Sequence, residues 1–287
     1  MRKLLLLSLM CTFSYNVYAG ENTCSAEIAA INAFNNFIFT QEQPFNDSVK
    51  EMKMHIKSSD DYIESNAYVK FDDCGRLLIL ENSKVVKSRI KENVIVNAFN
   101  IRINKKDEGW RYNMTFKLSD IDRHGVDNIL MTQRMHGKFL TGKNGKITKS
   151  KDTSYATLSG ERMKFKAETR FLSDDKGRLS KSDRVSTQPN DSSNTRYFYD
   201  DKDRLIRNQS DSTTEEYTYT EDGKESGSTM IQTFFTTETT VTTCKEWNKF
   251  GRCTRAERDI TELIKSEKDK KNSVYKHHAE IDYEYVY

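Results

Sequence analysis

Long apolar runs, proline and histidine are all scarce in this chain, and each shortage excludes something. Past the first 20 residues no stretch approaches the roughly 20 apolar residues that a membrane-spanning helix needs, so the expected mature chain is soluble or membrane-peripheral. Two prolines and twelve glycines leave few chain breakers, so the turns must be built from Asp, Asn, Lys and Ser. Five histidines are scattered, and no H-E-x-x-H pair, G-x-S-x-G elbow, P-loop or dinucleotide fingerprint occurs. The expectation is a protein that is not an enzyme, with no catalytic, cofactor-binding or metal-binding residues to assign.

What is present begins with the N-terminus. Met1-Arg2-Lys3 supplies a short positive region, Leu4 to Phe13 an apolar core, and Val17-Tyr18-Ala19 the small-x-small pattern read by a signal peptidase before Gly20. Residues 1–19 therefore read as a signal peptide, and residues 20–287 as a single β-rich envelope domain. Cys11 offers a second export route, cleavage before an acylated cysteine and a lipid anchor there. Its upstream residues Ser8-Leu9-Met10 place Met where that route needs a small side chain. Loss of residues 1–19 removes Arg2, Lys3 and no acidic residue, so the formal net charge falls from +3 to +1, a balance that argues against a nucleic-acid partner.

The mature chain reads as mainly β, an antiparallel meander of hairpins forming a curved sheet or open barrel-like structure after a short N-terminal helical segment. Ser25 to Phe39, apolar and Asn-rich, predicts one or two helical turns before Pro44. From Ser48 the period becomes two: Met52, Met54 and Ile56 alternate with Lys53 and His55. Strands are predicted at 62–71, 77–81, 94–103 and 110–116. A polar stretch between Ser180 and Arg196, containing Pro189, Asn190 and Asp191, is the best candidate for an internal boundary. The lysine-rich tract 265–276 reads as a solvated loop or strand edge.

A degenerate unit recurs: an aromatic or apolar strand end, an acidic or polar turn, Gly, then a basic residue opening the next strand. It appears as Phe71-Asp72-Asp73-Cys74-Gly75-Arg76-Leu77, Ser173-Asp174-Asp175-Lys176-Gly177-Arg178-Leu179 and Tyr199-Asp200-Asp201-Lys202-Asp203-Arg204-Leu205, with weaker copies at Gly145, Gly223 and Gly251. Asp or Asn caps its own backbone there, and Gly or Asp203 accepts positive φ, so each copy is a hairpin tip. The turn positions from Gly145 onward are 32, 26, 20 and 28 residues apart, too uneven for a regular array and too few to enclose anything alone. The pairs Asp72-Asp73, Asp174-Asp175 and Asp200-Asp201 are explained by these turns, where water keeps carboxylate pKa values ordinary.

Cleavage after Ala19 leaves Cys24, Cys74, Cys244 and Cys253, an even set that fits two disulfides in an oxidising compartment and allows three pairings. Cys244 and Cys253 flank a turn at Asn248–Gly251 and can bridge across a hairpin, a loop worth roughly 2.5 to 3 kcal/mol on the chain-entropy model. His277 and His278, adjacent on a predicted strand, point to opposite faces and so do not make a metal pair. Ile281, Tyr283, Tyr285 and Tyr287 alternate with Asp282, Glu284 and Val286, predicting a strand inside the sheet.

Several segments resemble a known family. Tyr197-Phe198-Tyr199-Asp200-Asp201, then Cys244-Lys245-Glu246-Trp247 with Cys253, then Ile281-Asp282-Tyr283 are similar to the YnfC-like envelope lipoproteins of enterobacteria. Phe45-Asn46-Asp47-Ser48-Val49-Lys50 resembles that family's proline-containing approach to its first long strand, and Asp73-Cys74-Gly75 with Leu78 to Asn82 resembles its first cysteine turn. The hairpin tips are also similar to those of YD-repeat proteins, whose hairpins wind into a shell. Family members carry a lipobox, a departure from the Ala19 site here. The family's second cysteine in the N-terminal half has no counterpart, so the resemblance implies that Cys24 partners Cys74. It implies no activity, because the family's own activity is uncharacterised.

The functional expectation is an exported periplasmic protein that binds another envelope component through a sheet face or edge. An immunity or inhibitor protein against an exported toxin is the alternative, and a hydrolase with an unfamiliar site is third. Tyr197, Tyr199, Tyr217 and Tyr219 recur at the spacing that aligns them on strand faces. Most are expected to be packing, and any that are exposed would mark the contact face.

Overall fold

The computed structural model describes residues 24–41, 49–90, 92–233, 236–265 and 272–287. Residues 1–19, read above as a signal peptide, together with Cys11, the segment 42–48 and most of the lysine-rich tract, lie outside the described residues.

Sixteen antiparallel strands close into one barrel in which every strand pairs with its neighbours in sequence and the last pairs with the first. They are β1 (Glu51–Ser58), β2 (Ile63–Phe71), β3 (Leu77–Ile90), β4 (Asn93–Lys106), β5 (Gly109–Ile121), β6 (Asp127–Thr141), β7 (Ile147–Leu158) and β8 (Glu161–Ser173). The second half holds β9 (Leu179–Ser186), β10 (Ser193–Tyr199), β11 (Leu205–Gln209), β12 (Thr213–Tyr219), β13 (Glu225–Thr233), β14 (Thr236–Trp247), β15 (Cys253–Lys265) and β16 (Asn272–Val286). The expected antiparallel meander, a curved sheet or open barrel-like structure, is here a fully closed barrel, because β16 pairs with β15 on one side and with β1, from Glu51↔Val286 to Ser58↔Ala279, on the other. The sheet also runs unbroken through 180–196. That stretch is β9 and β10, joined by a short connection and paired from Ser193↔Arg184 to Arg196↔Lys181.

All six recurrent turn units lie at one end of the barrel, because consecutive copies are separated by an even number of strands. At each, the turn opener's own backbone closes the tip: Gly75 donates to the Asp72 carbonyl at 2.9 Å, Gly177 to Asp174 at 2.9 Å and Asp203 to Asp200 at 3.1 Å. Asp203 takes φ 62°, within the left-handed region that Gly177 occupies at 78°. At four of the six tips the residue after the basic position then turns inward. Leu77, Ile147, Leu179 and Leu205 are all at most 1% exposed and form an aliphatic layer just inside this end. The uneven spacing reflects strand length, from the long β5–β8 to the short β10–β12, and the unit recurs around the rim despite it.

One helix among the described residues plugs this end. α1 (Ala26–Thr40) starts at Ser25, whose side chain accepts from Ile28 N, and stops at Gln41, which is left-handed. It runs four turns, longer than the expected one or two, because its asparagines have specific partners. Asn32, Asn35 and Asn36 donate to the carbonyls of Cys74, Gly145 and Gly75 at 2.8, 3.1 and 2.6 Å. Asn35 also accepts from Ile147 N at 2.7 Å. Spacing of i, i+3 and i+4 puts all three on one face, so the Asn-rich stretch is a set of caps for hairpin tips that would otherwise leave buried carbonyls unpaired. Phe34, Phe37 and Ile38 enter the core below. The Cys24–Cys74 disulfide ties the helix start to the β2–β3 tip, and Cys244–Cys253 closes the β14–β15 hairpin with Cα atoms 5.8 Å apart. The latter pair is not directly cross-strand: Cys244 opposes Ala256, and bulges around Glu246 bring the sulfurs together.

A second cluster, Ile56, Tyr62, Ile63, Ala256, Ile260, Ala279 and Ile281, holds β1, β2, β15 and β16 together. Here the barrel is pinched: Tyr62 Oη donates to Glu238 at 3.0 Å and Ser88 Oγ to Glu262 at 3.4 Å, linking β3 and the β1–β2 turn to β14 and β15 across the interior.

The outer wall has the opposite polarity from a membrane barrel, which needs an apolar band facing lipid. Outward positions carry Lys53 and Lys57 on β1, Lys149 and Lys151 on β7, Glu257 and Asp259 on β15, and Glu280, Asp282 and Glu284 on β16. This wall faces water. Among the described residues no helix is long and apolar enough to cross a membrane.

Candidate functional site

The four tyrosines singled out from the sequence all point into the barrel. Tyr197 is 8% exposed and meets Phe37 of the helix edge-on, with centroids 5.5 Å apart. Tyr199 and Tyr219 donate to the carbonyls of Leu179 and Leu205, at 2.8 and 2.6 Å, and the basic residue of the same preceding tip stacks on each ring: Arg178 on Tyr199 and Arg204 on Tyr219, both at 4.3 Å. Tyr217 donates to Glu215 at 2.7 Å. These residues lock each hairpin to the one before it and form no exposed contact face.

The acidic turn residues are less ordinary than expected. Burial works to raise Asp174 and Asp200, but hydrogen bonds and charge from Arg178 and Arg204, together with backbone N–H groups, hold both below the usual carboxylate range. Each carboxylate thus serves as turn cap and ion-pair partner, at 2.6 Å from its arginine.

Two buried polar networks occupy the interior. In one, Arg184 forks onto Asp152 at 2.8 and 3.2 Å and onto Asp191 at 2.9 Å, while Tyr112 Oη donates to Asp152 at 2.9 Å. The Tyr112 ring lies across Gly137, where an added Cβ would sit 2.4 Å from the ring. Every charge here is answered within the network, leaving no group directed at a ligand.

In the other network, Glu238 and Glu262 face each other in register on β14 and β15. His277 stacks on Tyr62 at 3.6 Å and bonds Asp60 through Nδ1 at 2.5 Å, whereas His278 points outward to Asp259 at 2.8 Å. The two rings diverge as the strand period requires. No hydroxyl or thiol nucleophile bonds His277 Nε2.

Burial, reinforced by the negative charge of Glu238, raises Glu262 above the usual carboxylate range. A carboxyl that holds its proton more tightly when folded favours the native state at low pH, and this contribution is lost as pH rises through the unfolded and then the folded pKa. Glu262→Gln is therefore expected to raise the melting temperature relative to the native protein at pH 7.5, with the gain shrinking toward pH 4. Thermal melts at the two pH values check this, and an equal or larger gain at pH 4 refutes it.

The outer wall of β5–β8 is different in kind. Arg111, Arg134, Lys138, Arg162, Lys164 and Lys166 are all exposed there, and among the described residues none forms an ion pair. Of the carboxylates on these strands, Glu168 is already shared by Lys149, Lys151 and Arg170 at 3.6, 3.5 and 3.2 Å, Asp127 pairs with Lys117 at 2.5 Å, and Glu161 stands exposed at the β7–β8 tip. The strand register assembles the patch by pairing Arg111 with Lys138, Lys138 with Lys151 and Thr153 with Lys166. Tyr155 sits at its centre, with Arg162 and Lys164 over its ring at 5.2 and 5.5 Å and His136 at 5.9 Å. The wall is concave and bounds an open trough of about 1550 Å³, closed on one flank by Ser192, Ser193 and Asp211. Cations held close together without counter-charge cost electrostatic energy that an anionic ligand relieves.

This patch was missed from the sequence because it is hidden in the net charge. The signal was the alternation of Lys149 with Lys151, and of Arg162, Lys164 and Lys166, but the carboxylates that balance them lie on the far wall, on β15, β16 and β1.

No family model matches the chain, and no curated protein matches it. Among solved structures, the crystal structure of a porin-like protein from Bacteroides uniformis is similar at a TM-score of 0.42 and 10% identity, covering 84% of this chain and 98% of that one. The two disulfides are consistent with an exported envelope protein, since such bonds persist in oxidising compartments.

Proposed function

We propose that this is a periplasmic, non-enzymatic binding protein of the cell envelope, matured at Gly20, which holds an anionic envelope component on the basic outer wall of β5–β8. The single observation that carries the reading is the set of six exposed cations without ion-pair partners on this wall, of which Arg111, Lys138 and Lys166 line the trough. A closed barrel presents no free strand edge, so of the two modes expected from the sequence only binding by a face remains. The buried networks favour binding over chemistry: apart from His277 Nε2, which no hydroxyl or thiol approaches, their acids, bases and hydroxyls are hydrogen-bonded to one another, and Tyr62 and Glu262 are 3% and 6% exposed.

Photo-crosslinking in intact cells tests this. A probe at Lys151 is expected to capture a defined anionic component, while a probe at Glu280 on the opposite wall captures none. Equal capture from both walls refutes the assignment of the site. Reproducible turnover of a hydrolase substrate by the purified protein, abolished by one Asp, Glu, Ser or His substitution, overturns the non-enzymatic reading.

A further inference from the structure

The basic wall ends at an apolar rim. At the end of the barrel opposite the helix, the β5–β6 tip projects a run, residues 123–130, in which every residue is exposed. Val126, Ile129 and Leu130 in that run are 52, 59 and 41% exposed, and Leu158 on the neighbouring β7–β8 tip is 46% exposed. Leu158 pairs with Met131, so the two tips stand side by side. Large aliphatic side chains this exposed and this close together are unusual on a surface otherwise rich in charge.

The strand register brings part of the rim onto the face of the cations: Ile129 and Arg134 pair with Ser119 and Thr115, which are four residues apart on β5 and so share one face. Leu158 stands at the same rim but on the inner face of β7, whereas Tyr155, three residues along, belongs to the outer face with the cations. Tyr155 pairs with Arg134 on β6 and Lys164 on β8, and Arg162 is one position nearer the rim, opposite Thr157. The order from the tip inward is thus aliphatic, then tyrosine flanked by cations, then further cations along the trough. A bilayer presents the complementary order to an approaching protein: acyl chains within, then the interfacial zone where tyrosine sits, then anionic headgroups.

We infer that the β5–β6 and β7–β8 tips and the adjoining basic wall form one docking surface for an anionic phospholipid bilayer. The aliphatic tips dip into the headgroup boundary, while Arg134, Arg162 and Lys164 meet lipid phosphates. A soluble polyanion would use the cations and leave the tips unused. A protein partner would be expected to cover apolar residues at the centre of a patch, whereas here they protrude at one end of it. The inference rests on the proposed anionic-component reading and names the component.

The test is co-sedimentation of the mature protein with vesicles of phosphatidylglycerol and phosphatidylcholine, and with phosphatidylcholine alone. Binding is expected with the anionic vesicles only, weakening as salt rises. The Arg134→Gln/Lys164→Gln double variant should partition about 30-fold less, at roughly 1 kcal/mol for each cation near the surface. Val126→Ser/Ile129→Ser should partition about tenfold less, the equivalent of roughly 55 Å² of apolar surface left in water. All four residues are exposed, so unchanged melting temperatures confirm that the variants are folded. Equal binding to both vesicle types, or none, overturns the inference, as does loss on removing the cations with no loss on removing the aliphatics. If vesicles fail while the Lys151 probe still captures an anionic component in cells, the bilayer is the wrong occupant and the proposed function stands. If both fail, neither stands.

Discussion

Deleting residues 281–287 is expected to abolish cooperative thermal unfolding. The deletion removes six of the eight residue pairs that join β16 to β1, from Ile56↔Ile281 to Glu51↔Val286, and so opens the barrel. It also removes Ile281, which is fully buried, and Tyr285, whose hydroxyl donates to Cys253 O at 3.1 Å. Emptying one buried isoleucine site costs about 2–5 kcal/mol. Losing the tyrosines and the strand pairing as well brings the cost to the scale of a whole domain's stability, about 5–15 kcal/mol. The exposed edge of β1 and that of the remaining β16 would then be templates for association. Circular dichroism melts with light scattering measure both effects, and a cooperative melt within a few degrees of the native protein would refute the prediction.

The second large effect is expected from Cys24→Ala/Cys74→Ala. Their bridge spans a sequence separation of 50, for which the chain-entropy model gives about 4 kcal/mol. The Cys244–Cys253 bridge, with a separation of 9, gives about 2.7 kcal/mol on the same model. The helix keeps its asparagine contacts in the first variant, so the fold should survive at lower stability, with a melting temperature about 8–16 °C below native. The order of the two variants is the sharper readout, since it does not depend on the absolute scale. Denaturant titration of both, side by side, should place the Cys24/Cys74 variant lower, and the reverse order would show that the long loop is already restrained in the unfolded chain.

Local pattern made much of the architecture legible. The alternation of Met52, Met54 and Ile56 with Lys53 and His55 assigned an inner and an outer face, because side chains on a strand must alternate. The Asp-x-x-Gly-Arg tips were readable because positive φ and self-capping are demands of a few consecutive residues. The same holds for the divergence of His277 and His278. The Asn-rich segment was read as helical but too short, since its length is decided by partners, the carbonyls of Cys74, Gly75 and Gly145, that are far away in sequence.

Barrel closure was not legible. Whether a meander of hairpins ends as an open sheet or a barrel depends on accumulated twist and on whether β16 reaches β1, a contact across more than 200 residues. The role of the tyrosines was equally hidden: Tyr199 and Tyr219 carry the spacing of a contact stripe, and only the position of the preceding tip shows that their hydroxyls and ring faces are already used. The basic wall escaped for a third reason. Net charge is a sum over the whole chain and is blind to direction, so Lys149, Lys164 and Lys166 cancel against Glu257, Glu280 and Glu284 on paper while standing on opposite walls of the molecule. The sequence by itself determined hairpins, faces and tips, because these follow from interactions among near neighbours along the chain. The tertiary structure alone decided closure, the plugged end and the separation of charge, because each depends on which distant strands come to lie side by side.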